Sequence, residues 1–299
     1  GGSRFERGGV PLSDALNIQW YPGHMTKTRR MIEADLKLVD AVVEIVDARI
    51  PISSRNPMID ELTKGKKRLI ALNKSDLSQP EGNRQWTAYF RSKGDETVEL
   101  NALSGKGVPA LAPALRSLLS DKIARDRARG MNKPLRAMVL GIPNVGKSSL
   151  INRLAKASKT RVADKPGVTR GKQWISIDGN IDLLDTPGIL WPKFEDAQVS
   201  LHLAFTGAIK DDVIDVEEVA CRLLECLADL RPQALADRYQ LENAADRPGY
   251  ELLESLGRAR GFLIAGGEIN TERAARILLD EFRAGKLGAF TLEFPPEAP

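Results

Sequence analysis

A single stretch near the middle of the chain constrains the fold more than any other. Residues 141–148 read G-I-P-N-V-G-K-S, which matches the pattern G-x-x-x-x-G-K-S. The apolar run before it, residues 135–140, predicts a strand, and residues 149–155 after it predict a helix. This is the context of a phosphate-binding loop, whose glycines let backbone N–H groups point inward at a helix N-terminus. The stretch therefore predicts a nucleoside triphosphate site, and a glycine-rich turn that binds nothing is the weaker alternative.

Each part of this loop has an expected task. Lys147 is expected to reach the β- and γ-phosphates and to support catalysis, and the Ser148 hydroxyl is expected to ligate Mg²⁺. Backbone N–H groups of the loop are expected to hold the α- and β-phosphates. The nucleotide-binding residues predicted here are Asn144, Val145, Gly146, Lys147, Ser148 and Ser149.

Strands and helices alternate along the first two thirds of the chain. Strands are predicted from apolar, β-branched runs at 41–46, 68–72, 97–100 and 135–140. A long helix is predicted at 108–129, and a hairpin is predicted around Asp178-Gly179-Asn180. Such alternation predicts an α/β fold, a mostly parallel sheet with helices on both faces. Ligands of such sheets bind at the carboxyl ends of the strands.

The chain changes character after residue 193. Apolar residues recur at helical spacing in 216–230, 249–260 and 271–283, and no strand is predicted there. Residues 1–194 carry 33 Lys and Arg against 20 Asp and Glu, whereas residues 195–299 carry 11 against 20. We therefore predict two domains, an α/β domain at 1–193 and a helical domain at 194–299. The basic first domain is expected to face a polyanion.

The composition indicates in which cellular compartment the protein is expected. No run approaches about 18 apolar residues, so no membrane span is expected. Gly1 to Ser3 are typical of a cloning remnant, and no secretory pattern follows them. The two cysteines, Cys221 and Cys226, lie in a helical stretch, which argues against a disulfide framework or a zinc site. We expect a cytoplasmic protein.

Two further motifs extend the phosphate site. Asp185-Thr186-Pro187-Gly188 follows a predicted strand, and Asp185 suits a carboxylate that holds Mg²⁺ directly or through water. The Gly188 amide is expected to sense the γ-phosphate. Thr169 lies in a basic loop and is a candidate for the second hydroxyl ligand of Mg²⁺.

The base specificity is predicted by Asn73-Lys74-Ser75-Asp76, which follows another strand. A carboxylate at Asp76 accepts hydrogen bonds from guanine N1–H and N2–H₂, and adenine offers no such pair of donors. Asn73 is expected to tie the base loop to the phosphate loop. In the loop after the next strand, Asn101, Ala102 and Leu103 are also expected to contact the base, with the Ala102 N–H meeting guanine O6.

The motifs together resemble those of translation-factor-class GTPases, but their order is changed. The base motifs at 73–76 and 101–104 precede the phosphate motifs at 141–148 and 185–188, as in a circular permutation. With W-Y-P-G-H-M at 20–25, D-A-R-I-P-I-S-S-R-N-P at 47–57 and P-G-V-T-R-G at 166–171, the chain closely resembles the bacterial ribosome biogenesis GTPase A (YlqF) family.

That resemblance implies a factor for late assembly of the large (50S) ribosomal subunit. It implies binding to 50S precursor particles, 23S rRNA and ribosomal proteins, and an RNA-binding role for the helical domain. Neither membrane nor DNA is an expected partner. The net negative charge of the helical domain argues against a simple electrostatic clamp.

Catalysis departs from the Ras-like pattern. The residue after D-T-P-G is Ile189, which cannot orient water as the glutamine of Ras-like proteins does. The resemblance points to His24 for that task, and a histidine that only stabilises its turn is the alternative. His202 is expected to be structural. Asn144 matches GTPases that place a monovalent cation beside the phosphates, so K⁺ is a hypothesis.

These residues predict a GTPase that is slow alone, with GTP or GDP as ligand and Mg²⁺ and K⁺ as cofactors, and the resemblance implies that 50S precursors stimulate it. One alternative is a nucleotide-gated RNA-binding scaffold whose hydrolysis is incidental. Another is a permuted GTPase that acts on the small subunit or on tRNA.

Overall fold

The chain is described by a computed structural model that covers residues 22–158, 172–188 and 196–297, with the backbone alone for residues 22–25. The described residues form two compact units. The sheet unit contains residues 22–158, 172–188 and 290–297, and the helical unit contains residues 196–289.

One six-stranded sheet organises the sheet unit. Its strands are β1 Ala41–Asp47, β2 Lys67–Asn73, β3 Glu96–Leu100, β4 Leu135–Leu140, β5 Trp174–Ile177 and β6 Ile181–Asp185. The order across the sheet is β3-β2-β1-β4-β6-β5. All neighbouring pairs are parallel except β5 with β6, which form the antiparallel hairpin predicted around residues 178–180. The predicted α/β fold with a mostly parallel sheet is confirmed.

Helices cover both faces of this sheet. They are α1 Pro22–Leu36, α2 Ile59–Leu62, α3 Pro80–Ser92, α4 Leu111–Leu118, α5 Ser120–Ala128 and α6 Lys147–Ala157. The structure differs from the single long helix predicted at 108–129, because residues 108–110 form a separate 3-10 turn and the helix bends at Leu119 (φ −102°, ψ 20°). Pro109 and Pro113 contribute to this break, since neither has an N–H to extend a helical ladder.

Two apolar clusters bury the sheet. Ile32 and Leu36 of α1 pack with Val42, Met138 and Leu140 on one face. The second cluster lies on the same face, since Val42 and Val46 are four residues apart on β1, and it is formed by Val46, Ala48, Ile70, Leu72, Trp86 and Phe90. Every residue of β1 is buried, as expected for a central parallel strand rich in β-branched side chains. The rigid sheet thus holds its carboxyl-end loops in place.

The helical unit contains five helices: α7 Ala197–Thr206, α8 Val216–Leu230, α9 Pro232–Tyr239, α10 Gly249–Ala259 and α11 Thr271–Arg283. Carboxylate or amide side chains cap three of them, since Asp196, Asp215 and Asn270 accept N–H groups of the first turns of α7, α8 and α11. An isolated bridge pairs Leu263 with Ile269. None of the described helices combines the length and apolar character that crossing a membrane requires.

The end of the chain differs from the predicted domain division. The sequence placed the helical domain at 194–299, but residues 290–297 belong to the sheet unit. The physical reason is backbone pairing with residues far away in sequence: the Phe290 N–H donates to the Leu77 carbonyl at 2.9 Å, and the Leu292 N–H donates to the Arg49 carbonyl at 3.0 Å.

Candidate functional site

The candidate site lies where four parallel strands end. β2, β3, β4 and β6 deliver the motifs at 73–76, 101–104, 141–148 and 185–188 to one edge of the sheet. The chain leaves β1 and β4 toward opposite sides of the sheet, and a crevice forms at such a topological switch point. The strand order therefore brings together motifs that are far apart in sequence.

The loop between β4 and α6 has the backbone of an anion cradle. Gly146 has φ 107° and Asn144 has φ 66°, so both occupy the left-handed region. A Cβ on Gly146 would lie 2.0 Å from the Asn73 Nδ2, so only glycine fits there. The helix α6 begins at Lys147 and directs its free N–H groups and its positive dipole end into the loop.

Lys147 occupies the floor of the site. Its Nζ donates to Asp185 Oδ1 at 2.6 Å and to the Thr186 carbonyl. The Thr186 hydroxyl donates to the Val139 carbonyl at 2.6 Å, which ties the end of β6 to β4. The ammonium group is therefore held beside the carboxylate that the sequence assigned to Mg²⁺, in reach of the phosphate loop.

Asn73 links the base loop to the phosphate loop, as the sequence predicted. Its Nδ2 donates to the Val145 carbonyl at 2.7 Å, and its Oδ1 accepts the Ala102 N–H at 2.9 Å. The side chain is buried. One amide thus joins three loops, because Asn73, Ala102 and Val145 follow different strands.

The Ala102 N–H, predicted to meet guanine O6, is already used by Asn73 Oδ1. A guanine carbonyl at this place has to share that donor with Asn73 in a bifurcated hydrogen bond. The neighbouring N–H groups of Leu103 and Ser104 both donate to Asn101 Oδ1 at 3.0 Å. The loop is therefore shaped by internal hydrogen bonds before any ligand enters.

Asp76 lies in a 3-10 turn, Ser75–Leu77, that starts from Lys74 in the left-handed region (φ 58°). Its Oδ1 accepts a hydrogen bond from Asn101 Nδ2 at 3.0 Å. A carboxylate offers about four lone-pair positions, so capacity remains for two donors of a base. Asn101 thus orients the carboxylate in addition to shaping its own loop.

Arg153 is a residue of this site that the sequence reasoning missed. It lies on α6, and its Nε donates to the Ala102 carbonyl at 2.9 Å while its Nη2 donates to the Leu103 carbonyl. A Cβ on Gly105 would lie 2.6 Å from Arg153 Nη1, so the loop fits closely around the guanidinium. No local motif marks Arg153, because its partners are about 50 residues away.

These loops enclose a cavity of about 480 Å³, within the ~300–1,000 Å³ typical of small-molecule sites. The predicted residues that line it are Asn73, Lys74, Asn101, Ala102, Leu103, Asn144, Gly146, Lys147, Ser148, Ser149 and Gly188. Ile142 and Pro143 line it as well. Val145 is buried behind it. Asp76 and Asp185 are not among the lining residues, but each accepts a hydrogen bond from one of them, Asp76 from Asn101 and Asp185 from Lys147.

Two predicted residues lie outside the described parts of the chain, and the side chain of a third is not described. Thr169 and Ile189 fall in the segments 159–171 and 189–195, and only the backbone of His24 is described, within α1. His202 is described in α7, where it is buried and its Nε2 lies 2.8 Å from Gln198 Nε2. That environment agrees with a structural histidine.

The D-A-R-I-P-I-S-S-R-N-P segment forms a loop after β1 that does not line the cavity. Asp47 accepts hydrogen bonds from the Arg49 backbone N–H at 2.9 Å and from its Nη2 at 2.7 Å, and both side chains are buried. Burial alone raises the pKa of Asp47, but the Arg49 guanidinium outweighs it and holds the pKa below its usual range. Arg55 forms an ion pair with the buried Glu44 at 2.7 Å, but there burial outweighs the guanidinium and raises the pKa of the carboxyl. These ion pairs stiffen the loop.

Comparison with known proteins extends this geometry. The family described as 50S ribosome-binding GTPase matches residues 136–248. Ribosome biogenesis GTPase A of Bacillus cereus is 47% identical over 281 residues, which cover 94% of this chain and 95% of that protein. Mitochondrial ribosome-associated GTPase 1 of Bos taurus is 32% identical and covers 96% of this chain and 92% of that protein.

Two solved structures have a fold similar to that of this chain. GDP-bound YlqF superposes with a TM-score of 0.62 at 27% identity, covering 89% of this chain and 99% of that one. GNP-bound YlqF from T. maritima superposes with a TM-score of 0.59 at 26% identity, covering 91% and 100%.

The fold, the motif order and these likenesses define a circularly permuted P-loop GTPase, which binds guanine nucleotides and hydrolyses GTP. Within that class, bacterial relatives that are 43% to 47% identical over nearly their whole length carry one name. The chain belongs to the ribosome biogenesis GTPase A family.

Proposed function

We propose that this GTPase is an assembly factor of the large ribosomal subunit that acts in the cytoplasm. It binds 50S precursor particles when it carries GTP, contacts 23S rRNA and ribosomal proteins, and hydrolyses GTP faster on the particle than alone. The observation that carries the proposal is the near full-length similarity to proteins named for ribosome biogenesis or ribosome association.

In the proposed complex the guanine lies between the loops of Asn73–Asp76 and Asn101–Leu103. Asp76 reads the N1–H and N2–H₂ groups, and the phosphates lie against residues 144–149 at the start of α6. Lys147 then exchanges Asp185 for phosphate oxygens, because a triphosphate carries more negative charge than one carboxylate. The Gly188 N–H, at the cavity wall, meets the γ-phosphate.

The oxygen donors near the proposed phosphate position fit Mg²⁺. The Ser148 hydroxyl lines the cavity, and Asp185 is a hard oxygen donor beside it; Thr169 supplies a second hydroxyl in this proposal. Nowhere in the described parts do three or more His, Cys, Asp or Glu side chains gather as metal ligands. Phosphate oxygens and water complete the shell in such GTPase sites, so one carboxylate suffices. Bound Mg²⁺ would neutralise phosphate charge.

We assign catalysis to His24 and a monovalent cation. The sequence has Ile189 where Ras-like GTPases have a glutamine, so another group must orient the water. His24 is on the first turn of α1, and its imidazole has the required donor and acceptor. The exposed Asn144 in the phosphate loop is the proposed K⁺ ligand.

The amino edge of the sheet provides a surface for rRNA. Loops before β1, β2 and β4 meet at this edge and carry exposed basic residues: Lys37, Lys64, Lys67, Arg127, Arg129 and Lys133. Within the described parts of the chain, none of these side chains forms a salt bridge. Neighbouring strands lie about 4.8 Å apart, so the charges form a band. Such a band fits the phosphate backbone of RNA.

The helical unit differs in this respect. Most of its arginines are neutralised by its own acids: Arg222 pairs with Glu218, Arg283 with Asp211, and Glu281 accepts from both Arg238 and Arg260. Any RNA contact of the helical unit therefore relies on few charges, such as the exposed Arg258. This favours the amino edge of the sheet unit as the main electrostatic contact.

The deciding experiment measures GTP turnover alone, with purified 50S precursors and with 30S precursors, in potassium and in sodium. We expect stimulation by 50S precursors only, and a lower stimulated rate in sodium. No stimulation, or equal stimulation by 30S precursors, contradicts the proposal. Equal stimulated rates in the two salts refute the K⁺ site.

His24→Ala tests the catalytic assignment, with the exposed Lys27→Ala on the same helix as control. We expect His24→Ala to lose stimulated turnover and to keep co-sedimenting with 50S precursors. Normal turnover refutes the role of His24. A non-hydrolysing variant that still supports subunit assembly favours the scaffold alternative.

The rRNA surface is tested with Lys64→Gln, Lys67→Gln and Arg129→Gln combined, against Lys286→Gln, an exposed lysine of the helical unit. The slope of log affinity for 50S precursors against log salt is expected to fall by about two to three, about one for each lost phosphate contact. An unchanged slope refutes this surface, while GTP hydrolysis without particles serves as a folding control.

A further inference from the structure

The last described residues, 290–297, cross two loops at the nucleotide edge of the sheet and are called here the C-terminal strap. The first loop follows β1. Its Ile52 and Ser53 N–H groups both donate to Glu293 Oε1 at 3.0 Å, and the Ser53 hydroxyl donates to Oε2. The Leu292 N–H donates to the Arg49 carbonyl at 3.0 Å. Glu293 therefore closes this loop from outside.

The second loop is the turn that carries Asp76. The Phe290 N–H donates to the carbonyl of Leu77, the last residue of that 3-10 turn, at 2.9 Å. Thr291 Oγ1 lies 2.9 Å from the Ser78 hydroxyl and accepts the Gln79 N–H at 3.2 Å. The strap thus binds the chain directly after Asp76.

The strap is closely fitted into the sheet unit. Phe290, Thr291 and Leu292 are buried, and the Trp86 indole N–H donates to the Glu293 carbonyl at 2.9 Å. A Cβ on Gly82 would lie 2.2 Å from Thr291 Oγ1. A fit this close is typical of a segment with one defined position.

The other contacts of the Asp76 turn hold its beginning. The Ser75 carbonyl accepts from Asn83 Nδ2 at 3.0 Å, and the Ser75 hydroxyl donates to the Leu100 carbonyl at 3.3 Å. The Leu77 N–H closes the turn on the Lys74 carbonyl at 2.9 Å. The strap holds the end of the turn, so it limits the movement of the Asp76 backbone, while Asn101 Nδ2 holds the carboxylate itself at 3.0 Å.

We propose that the C-terminal strap is part of the guanine-recognition apparatus, with Glu293 and Thr291 as positioning residues that fix Asp76. The same contacts link the base loop to the loop after β1, whose Ala48 N–H donates to the Asn73 carbonyl at 2.8 Å. The strap and Asn73 therefore hold the base-reading turn from its two ends. This inference rests on the proposed function of Asp76 as the reader of guanine.

The readout is the preference for GDP over inosine diphosphate. Hypoxanthine keeps N1–H and O6 but lacks the 2-amino group, so it forms one hydrogen bond fewer with a correctly placed Asp76. A hydrogen bond to a charged group corresponds to roughly a tenfold or greater preference for GDP. A strap that only stabilises the fold affects the binding of both nucleotides equally and leaves their ratio unchanged.

Two variants displace the strap in different ways. Glu293→Gln keeps the shape of the side chain and removes its charge, and Gly82→Ala pushes against Thr291 without altering any group of the strap. Glu297→Gln is the matched control, because Glu297 is an exposed carboxylate of the same strap. All are made in the full chain, and circular dichroism verifies folding.

We expect the GDP to inosine diphosphate preference to fall about three- to tenfold in Glu293→Gln and Gly82→Ala, as a charged hydrogen bond is partly lost. It should stay unchanged in Glu297→Gln. A wild-type ratio in both folded strap variants overturns the proposal. Asp76→Asn tests the assignment of Asp76 as the reader of guanine separately from the role of the strap. If this variant keeps the wild-type ratio, the assignment of Asp76 fails and the strap proposal fails with it.

Discussion

Asn73→Ala is the substitution for which the structure allows the clearest estimate of the loss in the free energy of unfolding. The change removes two buried hydrogen bonds, from Nδ2 to the Val145 carbonyl at 2.7 Å and from the Ala102 N–H to Oδ1 at 2.9 Å. Each leaves a backbone group without its partner, which costs about 1–3 kcal/mol. The carbonyl and the N–H lie next to the cavity, where water can replace part of the loss. We therefore expect a total of about 2–4 kcal/mol.

The assay is urea unfolding without nucleotide, followed by tryptophan fluorescence, because Trp86 and Trp174 are buried in the sheet unit. Asn132→Ala is the matched control, since Asn132 is exposed in the segment before β4. GDP affinity is measured in parallel with a fluorescent analogue and is expected to fall at least about tenfold, since three loops lose their common link. A loss below about 0.5 kcal/mol together with wild-type GDP affinity would refute the argument that Asn73 organises the site.

Three further predictions follow from other contacts. Arg153→Met, which removes the donors to the Ala102 and Leu103 carbonyls, should weaken GDP binding about three- to tenfold with little change in GTP turnover at saturation; an unchanged Kd would contradict it. Arg49 lowers the pKa of Asp47 against the effect of burial, so the stabilisation from this carboxylate is present above pH ~4 and is lost as pH falls through the folded-state pKa. In Arg49→Met burial raises that pKa instead, so the free energy of unfolding measured from pH 6 to 2 should fall less toward acid than in the wild type, and an equal fall would contradict this. Burial, with Glu218 and Glu225, raises the pKa of Cys221 to about 12, and burial raises that of Cys226 to about 11. Alkylation of either thiol at pH 8 should therefore be at least about 100-fold slower in the folded chain than in urea, and equal rates would contradict it.

Much of the architecture follows from local sequence. The β-branched runs specify strands, and the polar residues that follow them must lie at the carboxyl edge once the sheet is parallel. The order of the motifs predicts the permutation without coordinates. Asn73 was assigned its bridging role because an amide with both a donor and an acceptor suits two loops, and the structure shows that bridge.

The parts that sequence did not predict depend on long-range contacts. Glu293 meets Ile52 across 241 residues and Thr291 meets Ser78 across 213, and no periodicity encodes such pairs. The sequence analysis therefore assigned residues 290–297 to the end of the helical domain. Arg153 was missed for the same reason, and the use of the Ala102 N–H by Asn73 follows from geometry that no motif contains.

The permutation changes which segments adjoin the helical unit and leaves the sheet intact. Counted from the strand before the phosphate loop, β3-β2-β1-β4-β6-β5 becomes 6-5-4-1-3-2, a doubly wound order with the phosphate loop at its switch point. The permutation requires a long connection, residues 101–134, which returns the chain from the edge strand β3 to the central strand β4.

The permutation also places the helical unit, in sequence, between two segments of the sheet unit that belong to or contact the nucleotide site. Gly188 precedes α7 by eight residues, and six residues separate α11 from the strap at Phe290. The first connection starts beside the proposed γ-phosphate sensor, and the second ends on the turn of Asp76. If the bound nucleotide changes the affinity of the helical unit for a partner, linkage requires that partner to change nucleotide affinity by the same factor.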